Sequence, residues 1–476
     1  MKTSTAARKI ILFELNEVPW RIIDEFCKWR PGSFLARRLS EFHQYETYAA
    51  DQTSLSPWKT WPTVHRGIPD ERHMIQDFGQ DLREVNREYP PLWEILAGNG
   101  VSTAVCGSMH SYPMPKSIEN YAFYLPDTFA AGSECFPRVL SDFQAFNLEM
   151  TRASALNVST KLPWESTLRF LAHARELGVR LGTFTELGKH LLAERRRSSL
   201  KVRRRTYQAG LAFDIFINFL QSTKPAFATF FTNHVASSMH RFWAAAFPDD
   251  YRPEDFAVDA AWIRTYRGEI DFAMRKFDNY LARLADFVDH NGDYKLWITS
   301  SMGQAATTAQ LVANELSLKD VGKFMSALGF QAPDWSLRPA MEPQCNLVVT
   351  PGCIEPFRET LRGIGVYGKP LGFRESGNGF FSLDFGHPGQ PELEQFVRVG
   401  GRRIPFAKMG LENIEIEERS NANAYHIPQG TLMIYDPSDR RPREARPQIS
   451  TLEIAPTILK NFAVPVPSYM VQPAGF

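Results

Sequence analysis

The sequence predicts an α/β fold, a largely parallel sheet flanked by helices and carrying cap insertions. Short apolar runs of strand length recur at Lys9–Leu15, 101–106, Phe227–Thr232 and 295–299, and strands buried on both faces read as such runs. Helix-spaced segments lie between them. The third observation is size: 476 residues exceed the ~250–300 at which one core stops growing, so one large core with insertions is expected.

Each element follows from local signals. After Lys9–Leu15 the turn Asn16-Glu17-Val18-Pro19 opens a helix. Residues 91–97 are helical, and Asn99-Gly100 turns the chain into the strand at 101–106. Between 267 and 289, Ile270, Met274, Phe277, Leu281, Leu284 and Phe287 keep helix spacing up to the turn Asn291-Gly292. A last helix at 452–462 is entered through Ser450 or Thr451. Two stretches break the rhythm. Residues 145–222 lack strand signals and carry the basic run 195–205, read as a solvated helix face, with a docking surface for anionic lipid, glycan or protein as the alternative. Residues 305–420 begin helical and turn Gly-rich with β-like alternation (Leu383, Phe385; Phe396, Val397, Val399). The expected division is therefore core 1–144, helical insertion 145–222, core 223–304, cap 305–420 and core 421–476. Insertions of this kind cap the sheet edge where open α/β folds bind ligands.

A net charge of +1 gives no bulk attraction to nucleic acid or anionic lipid. Five scattered cysteines without a CxxC fit reduced thiols. The apolar run 10–15 is far shorter than the ~20 residues of a membrane span, and a cytoplasmic location is the expectation. Oligomeric state is not legible.

The segment Leu55-Ser56-Pro57-Trp58-Lys59-Thr60-Trp61-Pro62-Thr63, followed by Gly67, Pro69 and His73, resembles the nucleophile segment of the alkaline phosphatase superfamily, in its type I phosphodiesterase/nucleotide pyrophosphatase branch. Tyr425-His426-Ile427-Pro428-Gln429-Gly430 resembles that family's His-x-x-x-Gly segment. The stretch Ile454-Ala455-Pro456-Thr457-Ile458-Leu459 with Pro465-Val466-Pro467-Ser468-Tyr469-Met470 resembles its C-terminus. The resemblance implies an alkaline-phosphatase-like fold, Thr60 as nucleophile, and His240 and His426 beside it. It also implies two metal ions, and here the sequence departs. Asn16, Ala236, Ser301 and Met302 stand where the family has metal-binding Asp or His. Neutral amide, hydroxyl and thioether groups do not replace carboxylates around a hard dication. A conventional two-metal site is therefore not expected; the expectation is no metal, or one divalent ion held by His234, His240 and His426.

Other candidates follow from position. Asn16 and Ser301 are read as donors to a substrate oxyanion in place of metal. Glu14, inside an apolar strand, is an acid/base or a paired structural group, and Glu17 is a ligand or base. Lys59, Thr63 and His234 are candidate substrate contacts, and His387 a turn residue that could touch substrate. The leading expectation is a hydrolase or transferase for a small-molecule, glycan or phosphoester substrate. Two alternatives stay open: non-phosphoryl acid–base chemistry in the same pocket, and a catalytically silent protein that binds a ligand or partner.

Overall fold

The computed structural model describes residues 7–475 except 52, 153–162, 342, 387 and 390–394; His387 lies outside the described residues. The central sheet is built from β1 (Lys9–Leu15), β2 (His43–Tyr48), β3 (Thr103–Cys106), β4 (Tyr121–Leu125), β5 (Phe227–Thr232), β6 (Tyr294–Thr299), β7 (Gln429–Tyr435) and β8 (Gln448–Ser450), in the order β8-β2-β7-β6-β1-β5-β3-β4. The five neighbours from β6 to β4 run parallel. The strand β7 is antiparallel to both β6 and β2. The expected largely parallel sheet is thus present, with antiparallel pairing on one side.

Alternation along β1 sends Ile11, Phe13 and Leu15 into one apolar layer and Ile10 and Leu12 into the other. On the first side lie α1 (Leu140–Arg152), α2 (Trp164–His173), α3 (Leu181–Arg196), α4 (Arg204–Thr223), α5 (His234–Ala246) and α6 (Glu269–His290), which supply Phe143, Phe170, Phe213, Phe216, Met239 and Phe277 to that layer. The basic run is held in part by ion pairs, Arg203 to Glu269 and Arg204 to Glu194, while Arg195, Arg196 and Arg197 are exposed.

On the other side, the helix Pro57–Arg66 carries Thr60. Ser56 is its N-cap residue, Pro57 takes the first helical position, and Gly67 closes it at φ 62°, a backbone that glycine adopts without strain. Pro62 lies inside the helix and has no N–H to give the Trp58 carbonyl. The His110 ring satisfies that carbonyl instead, Nε2 to oxygen 2.8 Å. Glu14, also on this face, is fully buried and accepts a 2.8 Å hydrogen bond from His65 Nε2. His65 is itself packed between Trp61 and Trp93.

The region beyond residue 303 differs from expectation at its start. It begins with short strands, Gly303–Ala306, Ala309–Gln310 and Asn314–Leu318, and reaches a helix only at Val321–Ala327. Long-range pairing decides this: Gly303–Ala306 pairs with Ala424–Ile427, and Asn314–Leu318 with Leu411–Glu415. Leu316, Phe357, Phe381 and Met409 belong to an apolar cluster of their own. The pair Arg241–Glu418, buried on both sides, ties α5 to the segment leading into Ala424–Ile427. Breaking such a pair leaves an uncompensated buried charge. Arg241→Met is expected to lower unfolding stability by about 3–5 kcal/mol, read from urea denaturation; a loss below about 1 kcal/mol would contradict this role.

Candidate functional site

Because β1, β3, β4, β5 and β6 run parallel, their C-terminal ends share one edge of the sheet. Asn16 and Glu17 follow β1, Gly107 follows β3, Asn233 and His234 follow β5, and Ser300 and Ser301 follow β6. Ligands of open α/β sheets bind outside this edge.

Glu17 is the centre. Its φ is 58°, a left-handed backbone that a glutamate adopts only at a cost of ~1–3 kcal/mol, and such strain clusters at functional sites. Its side chain is 2% exposed, and Oε2 lies 2.8 Å from His240 Nε2 and 3.3 Å from His426 Nε2. Each ring gives its other nitrogen to a main-chain carbonyl. His240 Nδ1 is 2.7 Å from the Ala424 oxygen and His426 Nδ1 is 2.8 Å from the Leu55 oxygen. A carbonyl can only accept, so both Nδ1 atoms carry a proton and donate it, which leaves both Nε2 atoms facing the carboxylate as the positions that take a second proton or a cation. Burial pushes the Glu17 carboxyl up, but His426 and His240 outweigh it and hold it well below the usual carboxylate range. Burial likewise opposes charge on His426, and Glu17 overcomes this to raise the imidazole.

A ring of neutral groups fixes this cluster. Gln304 Nε2 donates to Glu17 Oε2 and to the Ala236 carbonyl. Gln304 stands opposite His426 in the two-stranded pairing, which puts both side chains on one face. Asn16 donates to Glu17 Oε1 at 2.8 Å and to Asn233 Oδ1 at 2.8 Å, and accepts from Trp61 Nε1 at 2.7 Å. Solvent reaches the cluster through His240, whose side chain is 22% exposed. The ring of the exposed Tyr425 lies tilted beside His426, centroids 4.4 Å apart.

The structure thus brings Glu17, His240, His426 and Asn16 together, and sets other candidates apart. His234 is not a ligand of this cluster. Its Nδ1 accepts from Thr232 at 2.7 Å and its Nε2 donates to the Ala273 carbonyl at 3.2 Å, so both nitrogens are engaged; Glu17 supplies the third donor instead. Glu14 belongs to the His65 pair in the core. Asn16 has both amide hydrogens committed within the protein, which leaves none for an oxyanion. Ser301 is fully buried and bonded to Thr60, Oγ to Oγ1 2.8 Å. Thr60 is itself fully buried and donates to the Ser56 carbonyl at 3.2 Å. Lys59 is buried and ties down Thr53 and Ser54 rather than facing outward. Thr63 donates to Asp51 and accepts from His73 Nε2 at 3.1 Å. Asn233, weighed in the sequence as a stand-in ligand with His234 and His240, instead accepts from Asn16. Gln304 was missed in the sequence, because it is placed by pairing with His426 far along the chain, which no local signal announces.

As a metal centre the donor set fits. Two imidazole nitrogens and one carboxylate oxygen lie within 4.8 Å of one another, and imidazoles whose second nitrogen donates to a carbonyl are the usual form of metal-binding histidine. It is the one such group of three among the described residues.

No family model and no curated protein matches the chain. Among solved structures it is similar to murine ectonucleotide pyrophosphatase/phosphodiesterase 5, at 9% identity and TM-score 0.40, over 97% of this chain and 96% of that one. It is similar to the alkaline phosphatase of the Antarctic bacterium TAB5, at 10% identity and TM-score 0.38, over 97% and 100%. A third likeness is to phosphonoacetate hydrolase from Sinorhizobium meliloti 1021, at 10% identity and TM-score 0.42, over 96% of each chain. At these scores no residue role carries over from them.

His234 supplies a check on the local geometry. Burial pushes its pKa down to about 4, so its ring proton resonances are expected to stay flat from pH 8 to pH 5 in an NMR titration. A midpoint near 6.5 would contradict the engaged, buried ring.

Proposed function

We propose that Glu17, His240 and His426 hold one divalent cation, and that the chain hydrolyses or transfers phosphoesters at this centre with Thr60 as the attacking hydroxyl. The observation that carries the reading is the convergence of the three donors, with both imidazoles turned by main-chain carbonyls so that their Nε2 atoms face one point. A bound ion there would supply Lewis acidity toward a phosphoryl oxygen. Glu17 contributes the negative charge that offsets the cation, and Gln304 and Asn16 hold its two oxygens in place. Leu55 and Trp61 attach the Thr60 helix to the centre, the first through His426 and the second through Asn16. For attack Thr60 turns away from the Ser56 carbonyl and Ser301, and a bound cation would favour loss of its proton to water, because an unactivated hydroxyl is a weak nucleophile.

A silent ligand-binding protein is the second reading, and one observation favours it: Thr60 is fully buried with its hydroxyl engaged twice. Ser56 offers the other hydroxyl on this segment. It is buried, and its Oγ has no hydrogen-bond partner among the described residues.

Plasma mass spectrometry of protein dialysed with Zn²⁺ is expected to show one equivalent bound. His240→Ala should weaken binding at least ~100-fold, beyond the 10–100-fold typical of losing an orienting group. Bis(p-nitrophenyl) phosphate turnover should fall at least ~10³-fold in Thr60→Ala, a loss of the kind seen for catalytic nucleophiles, and survive in Ser56→Ala. The reverse pattern moves the attacking role to Ser56. Metal binding without turnover of any ester would favour the silent reading.

A further inference from the structure

A cavity of about 140 Å³ lies along the same edge of the sheet, beside the Glu17 centre. Its position follows from strand order. The sheet runs β1, β5, β3, β4, with neighbouring strands ~4.8 Å apart. Asn233 and Ser237, which follow β5, line the cavity nearest β1, whereas Cys106, Met109, Leu125 and Phe129 line it at the ends of β3 and β4. The cavity therefore leads outward from the centre by about two strand spacings.

Its walls are graded in the same direction. At the β5 end Asn233 Oδ1 accepts from Asn16, which donates in turn to Glu17. Ser237 lies one helical turn before His240 on α5 and accepts from Arg205 Nη1 at 2.9 Å. At the far end the wall is thioether, thiol and aromatic. Arg205 is the one full charge among the lining residues, none of which is Asp or Glu. The helical insertion builds one side of the cavity: Arg205, Gln208, Ala209 and Ala212 come from α4 and Asn147 from α1. A cavity of about 150 Å³ with apolar walls takes a benzene ring.

We infer that this cavity receives the organic group of an anionic ester, ring-sized and apolar, whose charged head lies toward Arg205, Ser237 and the Glu17 centre. The substrate class is then an aryl or comparably bulky phosphoester, not inorganic polyphosphate or a small alkyl ester. This rests on the proposed reading of the centre for the place of the charged head, and on the cavity alone for the ring.

The two parts separate in one set of binding measurements. Phenylphosphonate and methylphosphonate, neither of which turns over, are titrated calorimetrically into Zn²⁺-supplemented wild type, His240→Ala, Ala209→Trp and Ala212→Leu. Burial of the ring is expected to favour phenylphosphonate by tenfold or more in wild type, at about 25 cal/mol per Å² of apolar area. Ala209→Trp should bring the two ligands to within about twofold, and Ala212→Leu, a smaller filling that keeps the inference testable if the tryptophan variant does not fold, should lower the preference in the same sense. The preference for the ring should persist in His240→Ala even as both affinities fall. If both phosphonates bind equally in wild type and the filling variants change nothing, the cavity is not the site of the organic group and the inference is overturned, while the metal centre stands. If the preference is present and depends on Ala209 but His240→Ala changes neither affinity, the inference on the ring stands and the proposed centre falls.

Discussion

Two hydrogen bonds to main-chain carbonyls set the chemistry of this molecule. Ala424 and Leu55 each accept the Nδ1 proton of an imidazole, and this turns both Nε2 atoms toward Glu17. Without those carbonyls each ring would be free to flip and present either nitrogen to the carboxylate. The carbonyls lie far apart in the chain. Leu55 enters the Thr60 helix, and Ala424 starts a short strand tied to α5 by Asn423, whose N–H donates to the His240 carbonyl at 2.7 Å and whose side chain donates to the Arg241 carbonyl at 2.7 Å. The rigid sheet edge and these ties together fix the cluster.

Charge then limits how many ions this geometry can serve. Two dications 4 Å apart repel by roughly 16 kcal/mol at an effective dielectric of 20, scaling the unit-charge value, and only anionic ligands offset that. At the strand ends around Glu17 stand the uncharged residues Asn16, Ala236 and Ser301. Each is used differently: Asn16 as a bridge from Glu17 to Asn233, Ala236 through its carbonyl to Gln304, and Ser301 as the partner of Thr60. The remaining donors suit one cation. The cavity graded from Arg205 to Phe129 fits the same picture, since a centre with little charge of its own gains from binding energy supplied by the rest of the substrate.

Much of this was legible in the sequence, and what was not has a physical reason. The strands Lys9–Leu15 and Phe227–Thr232 were read to the residue because buried parallel strands are continuous apolar runs. Strands such as His43–Tyr48, with its exposed and half-buried polar residues, carry no such run and went unread. His240 and His426 were found by resemblance. Glu17 was weighed as one carboxylate among several, because its value comes from a left-handed turn that no residue type announces at a glutamate. His234 looked equivalent to His240 in the sequence; the direction in which a helix points its first residue separates them. The burial of Lys59 and Thr60 could not be read either, since it comes from packing of the Pro57–Arg66 helix against distant chain segments.

The central claim is that a lone carboxylate and two carbonyl-oriented imidazoles form the ion site. X-ray absorption of the Zn²⁺-loaded protein tests it most directly. The account predicts nitrogen and oxygen ligands at ~2.0–2.1 Å, outer-shell scattering from two imidazoles, and no metal–metal vector. A zinc–zinc distance of ~3.5–4 Å, or a shell without imidazole, would contradict it.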